Sequence, residues 1–210
     1  TAQVFKKLKK AVESSVTETN KTGLTEEEVA RGLKEALSIG IEKGVNRVSK
    51  VDGYFKDPEI KILLPGEAKK VEEKLRMLGQ DKLVDDAIES MNRAAEDAAN
   101  GAKDIFLAAI KELTIKDVMN ILRGENNAAT KYLEQHTRAQ LIEKFKPVIK
   151  VSLDKVGATK HWNTVFTTYN KLPFVKPVNP DLEDYVTQKA IDGLFVQIAK
   201  EEYEIRKNPV

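Results

Sequence analysis

Between Asp81 and Leu113, apolar residues recur at intervals of three and four: Leu83, Ala87, Met91, Ala94, Ala98, Ala102, Ile105 and Ala109. That period is the signature of one helical face turned inward, and it is incompatible with a strand, whose side chains alternate every two residues. The stripe stays in phase across Asn100-Gly101, which predicts one long helix with any kink at that pair. Its many alanines let neighbouring helices approach closely. A chain carrying such a segment is predicted to be all-α.

The remaining segments read the same way. Val4 to about Val16 forms a first amphipathic helix with Val4, Phe5, Leu8 and Val12 on one face, so the lysines of "FKKLKK" are its solvated side. Thr25 and Glu28 have the spacing of a capping box for a helix running towards Val48. Ser49 to Asp57 reads as a loop. Pro65 suits the first turn of a helix that continues to about Leu78. Thr114 is a cap for "IKDVMNILRG", which Gly124 ends. Asn127 to Phe145 is helical, with an interruption near Pro147, and Val148 to Val156 continues until Gly157 stops it. Trp162, Phe166, Tyr169 and Pro173 then form a helical core stripe flanked by Val165 and Leu172. Asn179-Pro180 starts the last helix, to about Arg206, whose middle "AIDGLFVQIA" is apolar on nearly every side and belongs near the bundle centre. The reading is a single domain, residues 1–210, of about eight or nine helices. Two extended pieces stand apart, Glu59 to Leu64 and Phe174 to Val178. They either pair as a short two-stranded ribbon, with Ile60, Ile62 and Leu64 on the helices and Phe174, Lys176 and Val178 sharing one side, or pack separately as connectors.

Several chemistries are disfavoured by what the chain lacks. Lys and Arg number 35 against 33 Asp and Glu, which is no electrostatic footprint for nucleic acid. With no cysteine there is no thiol catalysis, disulfide or cysteine zinc site. No apolar run approaches the roughly 20 residues of a transmembrane helix. His136 and His161 fall in no metal-binding spacing, so no metal and no cofactor is expected. Neither a G-x-S-x-G elbow nor a phosphate-cradling glycine loop is present.

Among polar clusters, Asn92, Arg93 and Glu96 lie within one helical turn among alanines, and Arg93 is at pairing distance from Glu89, Glu96 or Asp97. Glu202 and Arg206 form a second such pair. These five are the candidate binding residues: either ionic ties between helices or a ligand site, with Glu96 or Glu202 as acid or base beside Arg93 if the protein is an enzyme.

"DPEIKILLP", "MNRAAEDAA", "TIKDVMNILRG" followed by "AATKYL", "LDKVGATKHWN", "DYVTQKAIDGLF" and "EEYEIRKNP" occur in this order and closely resemble a bacterial family known as domain of unknown function 4197. The resemblance covers about residues 32 to 209; Leu113 departs from the methionine usual before the "TI" segment. Members commonly carry an export signal, so the resemblance implies a periplasmic or cell-envelope protein whose leader preceded Thr1. It brings no catalytic residue. The expectation is a non-enzymatic protein that binds a small molecule or a protein partner.

Overall fold

Caps written in the sequence set helix boundaries in the computed structural model, which describes Lys7, Leu8, Lys10 and residues 25–207. The Thr25 hydroxyl accepts from the Glu28 amide at 3.2 Å while the Glu28 carboxylate accepts from the Thr25 amide at 2.8 Å. This reciprocal box opens α1, Glu26–Val48. A short 3-10 turn, Gly66–Ala68, follows Pro65 and leads into α2, Lys69–Met77. Next come α3 (Asp81–Ala99), α4 (Ala102–Glu112) and α5 (Ile115–Arg123). Helix α5 opens on a second capping box, Thr114 with Asp117. Then follow α6 (Ala128–Lys155), α7 (Ala158–Tyr169) and α8 (Leu182–Lys207). The fold is all-α, and no strand occurs among the described residues.

The chain packs as two compact units. One is drawn from Thr1–Arg47, Ala102–Leu141 and Leu194–Val210, the other from Val48–Gly101 and Ile142–Gly193. In the first, Gly40 of α1 admits α8 closely: a Cβ there would lie 2.6 Å from the Ile205 side chain. Its core includes Leu33, Phe106, Leu122, Leu133 and Phe195, with the Phe106 and Phe195 rings packed edge to face at 5.6 Å. In the second, Tyr54 is wholly buried against Gly193, where an added Cβ would meet the Tyr54 ring at 2.8 Å. Its hydroxyl donates to the Ala190 carbonyl at 2.6 Å.

Three details differ from the sequence reading, and one further expectation falls largely outside the described residues. The first helix, Val4 to Val16, lies outside the described residues except for Lys7, Leu8 and Lys10; there Leu8 is buried and both lysines are exposed. The long helix is broken into α3 and α4, with the Gly101 amide turning back to the Ala98 carbonyl. Its buried stripe is also shifted by one residue at both ends: Val84, Ile88, Phe106 and Ile110 are inside, whereas Leu83 is half exposed. Two adjacent stripes overlap in the alanine centre, and burial follows the one that removes more apolar area from water. By contrast, α6 runs through Pro147 without interruption. Pro147 is exposed, so its ring projects outward and the helix forgoes one hydrogen bond. Gly157, at φ +69°, does end it.

The two extended segments form no ribbon. The Asn92 side chain occupies both the amide (2.8 Å) and the carbonyl (2.9 Å) of Ile62. Asn170 does the same for Val178, at 2.8 and 2.6 Å. Each carboxamide replaces the partner strand, so the demand for backbone pairing is met separately at each place. Ile60, Ile62 and Val178 are buried as a ribbon would have required, yet Phe174 is fully exposed.

Candidate functional site

In the second unit, α3 projects Asn92, Arg93 and Glu96 towards the loop after α1. Asn92 is fully buried and also donates to the Ile88 carbonyl at 2.7 Å. Glu96, 3% exposed, accepts from the amides of Tyr54 (3.0 Å) and Phe55 (3.1 Å) with one oxygen. Its other oxygen takes the Arg93 guanidinium at 2.8 Å. Arg93 also reaches Asp52 at 2.9 Å and Glu89 at 3.1 Å, and it lies 5.1 Å from the centre of the Phe55 ring. The Lys56 and Arg93 hydrogen bonds hold the Asp52 carboxyl below the usual carboxylate range. Asp52 itself sits at φ +70°, a conformation aspartate tolerates, and there the chain reverses to present two successive amides to Glu96. Burial, with the Glu96 charge beside it, pushes the Tyr54 phenol far above its ordinary value. The trio therefore clasps a loop, where helices had been expected as its partners. Asp97 turns elsewhere, accepting from Ser152 at 2.8 Å.

In the first unit, Glu202 and Arg206 join two helix ends. Glu202 accepts from the Ala129 and Thr130 amides, at 3.0 and 2.8 Å, and from the Thr130 hydroxyl at 2.7 Å. These are orphan donors of the first turn of α6, a turn with no acidic residue of its own. Arg206 binds Glu202 at 2.7 Å and donates to the Ile121 carbonyl, at the end of α5, at 3.0 Å. One ion pair thus caps the end of α5 and the start of α6. The interior beside Glu202 leaves only about 10 Å³, room for roughly one water. Glu201, next along, is held by Lys43 and Gln197.

The histidines are far simpler. His136 stacks on Tyr132 at 3.9 Å and shares a hydrogen bond with the Tyr132 carbonyl; His161 is exposed. Trp162 and Phe166 are buried as a packed pair 4.4 Å apart, and the Trp162 ring nitrogen donates to the Asn179 carbonyl. Val165, Leu172 and Pro173, expected on or beside that stripe, are exposed.

A sizeable concavity lies where sequence reasoning had placed no site residue. An open groove of about 740 Å³ runs in the second unit between the 3-10 turn with α2 on one side and residues 168–176 on the other. The walls are tied by Lys176 to Glu67 (2.8 Å) and by the Tyr169 hydroxyl to the Glu67 carbonyl (3.2 Å). The Lys176 bond holds the Glu67 carboxyl below its ordinary range. Val71, Tyr169, Leu172, Phe174 and Val175 supply apolar surface, and Lys69, Lys70 and Lys74 line the helical wall. These three lysines are exposed and make no ion pair among the described residues. Helix α2 is amphipathic yet buries no residue. Phe174 stands at φ +62° with its ring wholly in solvent. The proline-flanked "LPFVKPV" and the doubled lysine of "GEAKKVEEK" are the only traces of this groove in the sequence.

No curated protein and no solved structure matches the chain. A family model described as "Protein of unknown function (DUF4197)" does match, over residues 23–210, slightly beyond the segments that carried the resemblance. By that match the chain belongs to the DUF4197 family.

Proposed function

We propose that the protein is a non-enzymatic binding protein of the bacterial cell envelope, and that its ligand is held in the groove between α2 and residues 168–176. Phe174 carries this reading. A bulky residue in the left-handed region costs about 1–2 kcal/mol, and an exposed ring returns no burial to offset it. Its benefit then lies in a contact made outside the chain. The groove's volume falls within the range of small-molecule clefts. Polar residues that looked like an acid–base site are otherwise engaged: both oxygens of Glu96 and both of Glu202 accept hydrogen bonds from the chain. The envelope placement is supported by the family's common export signal.

Native mass spectrometry of protein purified from its own host tests the reading. A retained small molecule is expected, present in the periplasmic fraction and lost from a Phe174→Asp variant. An identical bare mass for both proteins would count against it.

A further inference from the structure

Resting on the groove reading, we infer that the ligand is a single-chain amphiphile with an anionic head, a carboxylate or phosphate monoester. The groove offers two kinds of surface side by side. Val71, Leu172, Phe174 and Val175 supply an apolar bed, with Leu172 and Phe174 exposed. Such surface gains from covering, and an alkyl chain covers it without leaving polar groups unpaired.

The charge on the rim selects the head. Of the groove's lysines, Lys176 is already neutralised by Glu67. Lys69, Lys70 and Lys74 have no acidic partner among the described residues, and Glu73 is the one unpaired acid on the same wall. The open charge is therefore positive, in a protein whose overall balance is close to neutral. Three ammonium groups along about one and a half helical turns suit an anionic head of small size, each acting as a point charge with rotatable donors. A cationic head would be repelled, and a neutral one would gain only the apolar contact.

Isothermal titration with laurate below its micelle concentration tests this directly. One laurate per chain is expected. Binding should weaken at least about tenfold in a Lys69→Gln, Lys70→Gln, Lys74→Gln triple variant, and it should weaken as salt rises from about 50 to 300 mM. Dodecyl maltoside, with the same chain and a neutral head, should bind at least about tenfold more weakly. The three lysines make no ion pair among the described residues, so circular dichroism of the variant should match the parent. Equal affinity for laurate and maltoside, unchanged in the triple variant, would overturn the anionic assignment and leave the groove reading standing. Absence of binding by either amphiphile would overturn the amphiphile class, while a retained molecule in the host-purified protein would still uphold the groove. Binding only to phosphatidylglycerol vesicles, with none to monomeric laurate, would assign the lysines to a bilayer surface and also overturn the proposal.

Discussion

Asparagine does at two places what a second strand would have done. Asn92 supplies both hydrogen bonds to Ile62, and Asn92→Ala would leave a buried amide and carbonyl unpaired. We expect a loss of about 2 kcal/mol in urea unfolding, against a much smaller change for an exposed substitution. Glu96→Ala should cost more, about 3 kcal/mol, since it leaves the Tyr54 and Phe55 amides unpaired and takes from Arg93 one of its three carboxylate partners. Phe174 behaves oppositely. Replacing it with asparagine, which tolerates positive φ, should leave stability unchanged or raise it by about 0.5–1 kcal/mol. A clear loss of stability there would show that the ring supports the fold after all.

Helix boundaries follow local rules wherever the rule is complete in the sequence. Both Thr-x-x-acid boxes form, and Gly157 stops α6 in the left-handed conformation. Proline is the exception. Pro147 sits within α6 on an exposed face, so Pro147→Ala restores a hydrogen bond without disturbing packing. Stabilisation by about 1–3 kcal/mol is expected from thermal or urea unfolding. The start of α6 needs help from another helix, because its own first turn offers no acid. That help comes from Glu202, a relation between residues more than seventy positions apart.

At the scale of the molecule, pH is expected to act through phenols withdrawn from water, the half-buried Tyr185 among them. Burial, and the Glu67 charge near it, pushes Tyr185 up to about 12. A folded-state value above the unfolded one means that its neutral form contributes stability fully below about pH 10, and that this is lost as pH rises through about 12. Melting temperature should therefore fall steeply between these values, and Tyr185→Phe should flatten the fall. The same profile for both proteins would refute the assignment. Metal is expected to have no part in stability. The described residues hold no cluster of three or more metal-ligating side chains, and melting with and without a strong chelator should coincide.

Periodicity and capping determined the all-α class and most helix ends, because those signals are carried by residues within a few positions of each other. The family was legible in a different signal, the resemblance of several segments in a fixed order. Helical spacing also marked Asn92, Arg93, Glu96, Glu202 and Arg206 as paired polar groups. What each pair holds was a tertiary matter: two loop amides for Glu96, two helix ends for Glu202 and Arg206. Choice between the two adjacent stripes of α3 likewise rested on which neighbours were there to cover them. The groove was the least legible feature of all. Lys69, Lys70 and Lys74 look like any solvated helix face, and Phe174 looks like core. Only the chain's path, which sets residues 168–176 against α2 and turns the Phe174 ring into solvent, decides that these residues share one surface.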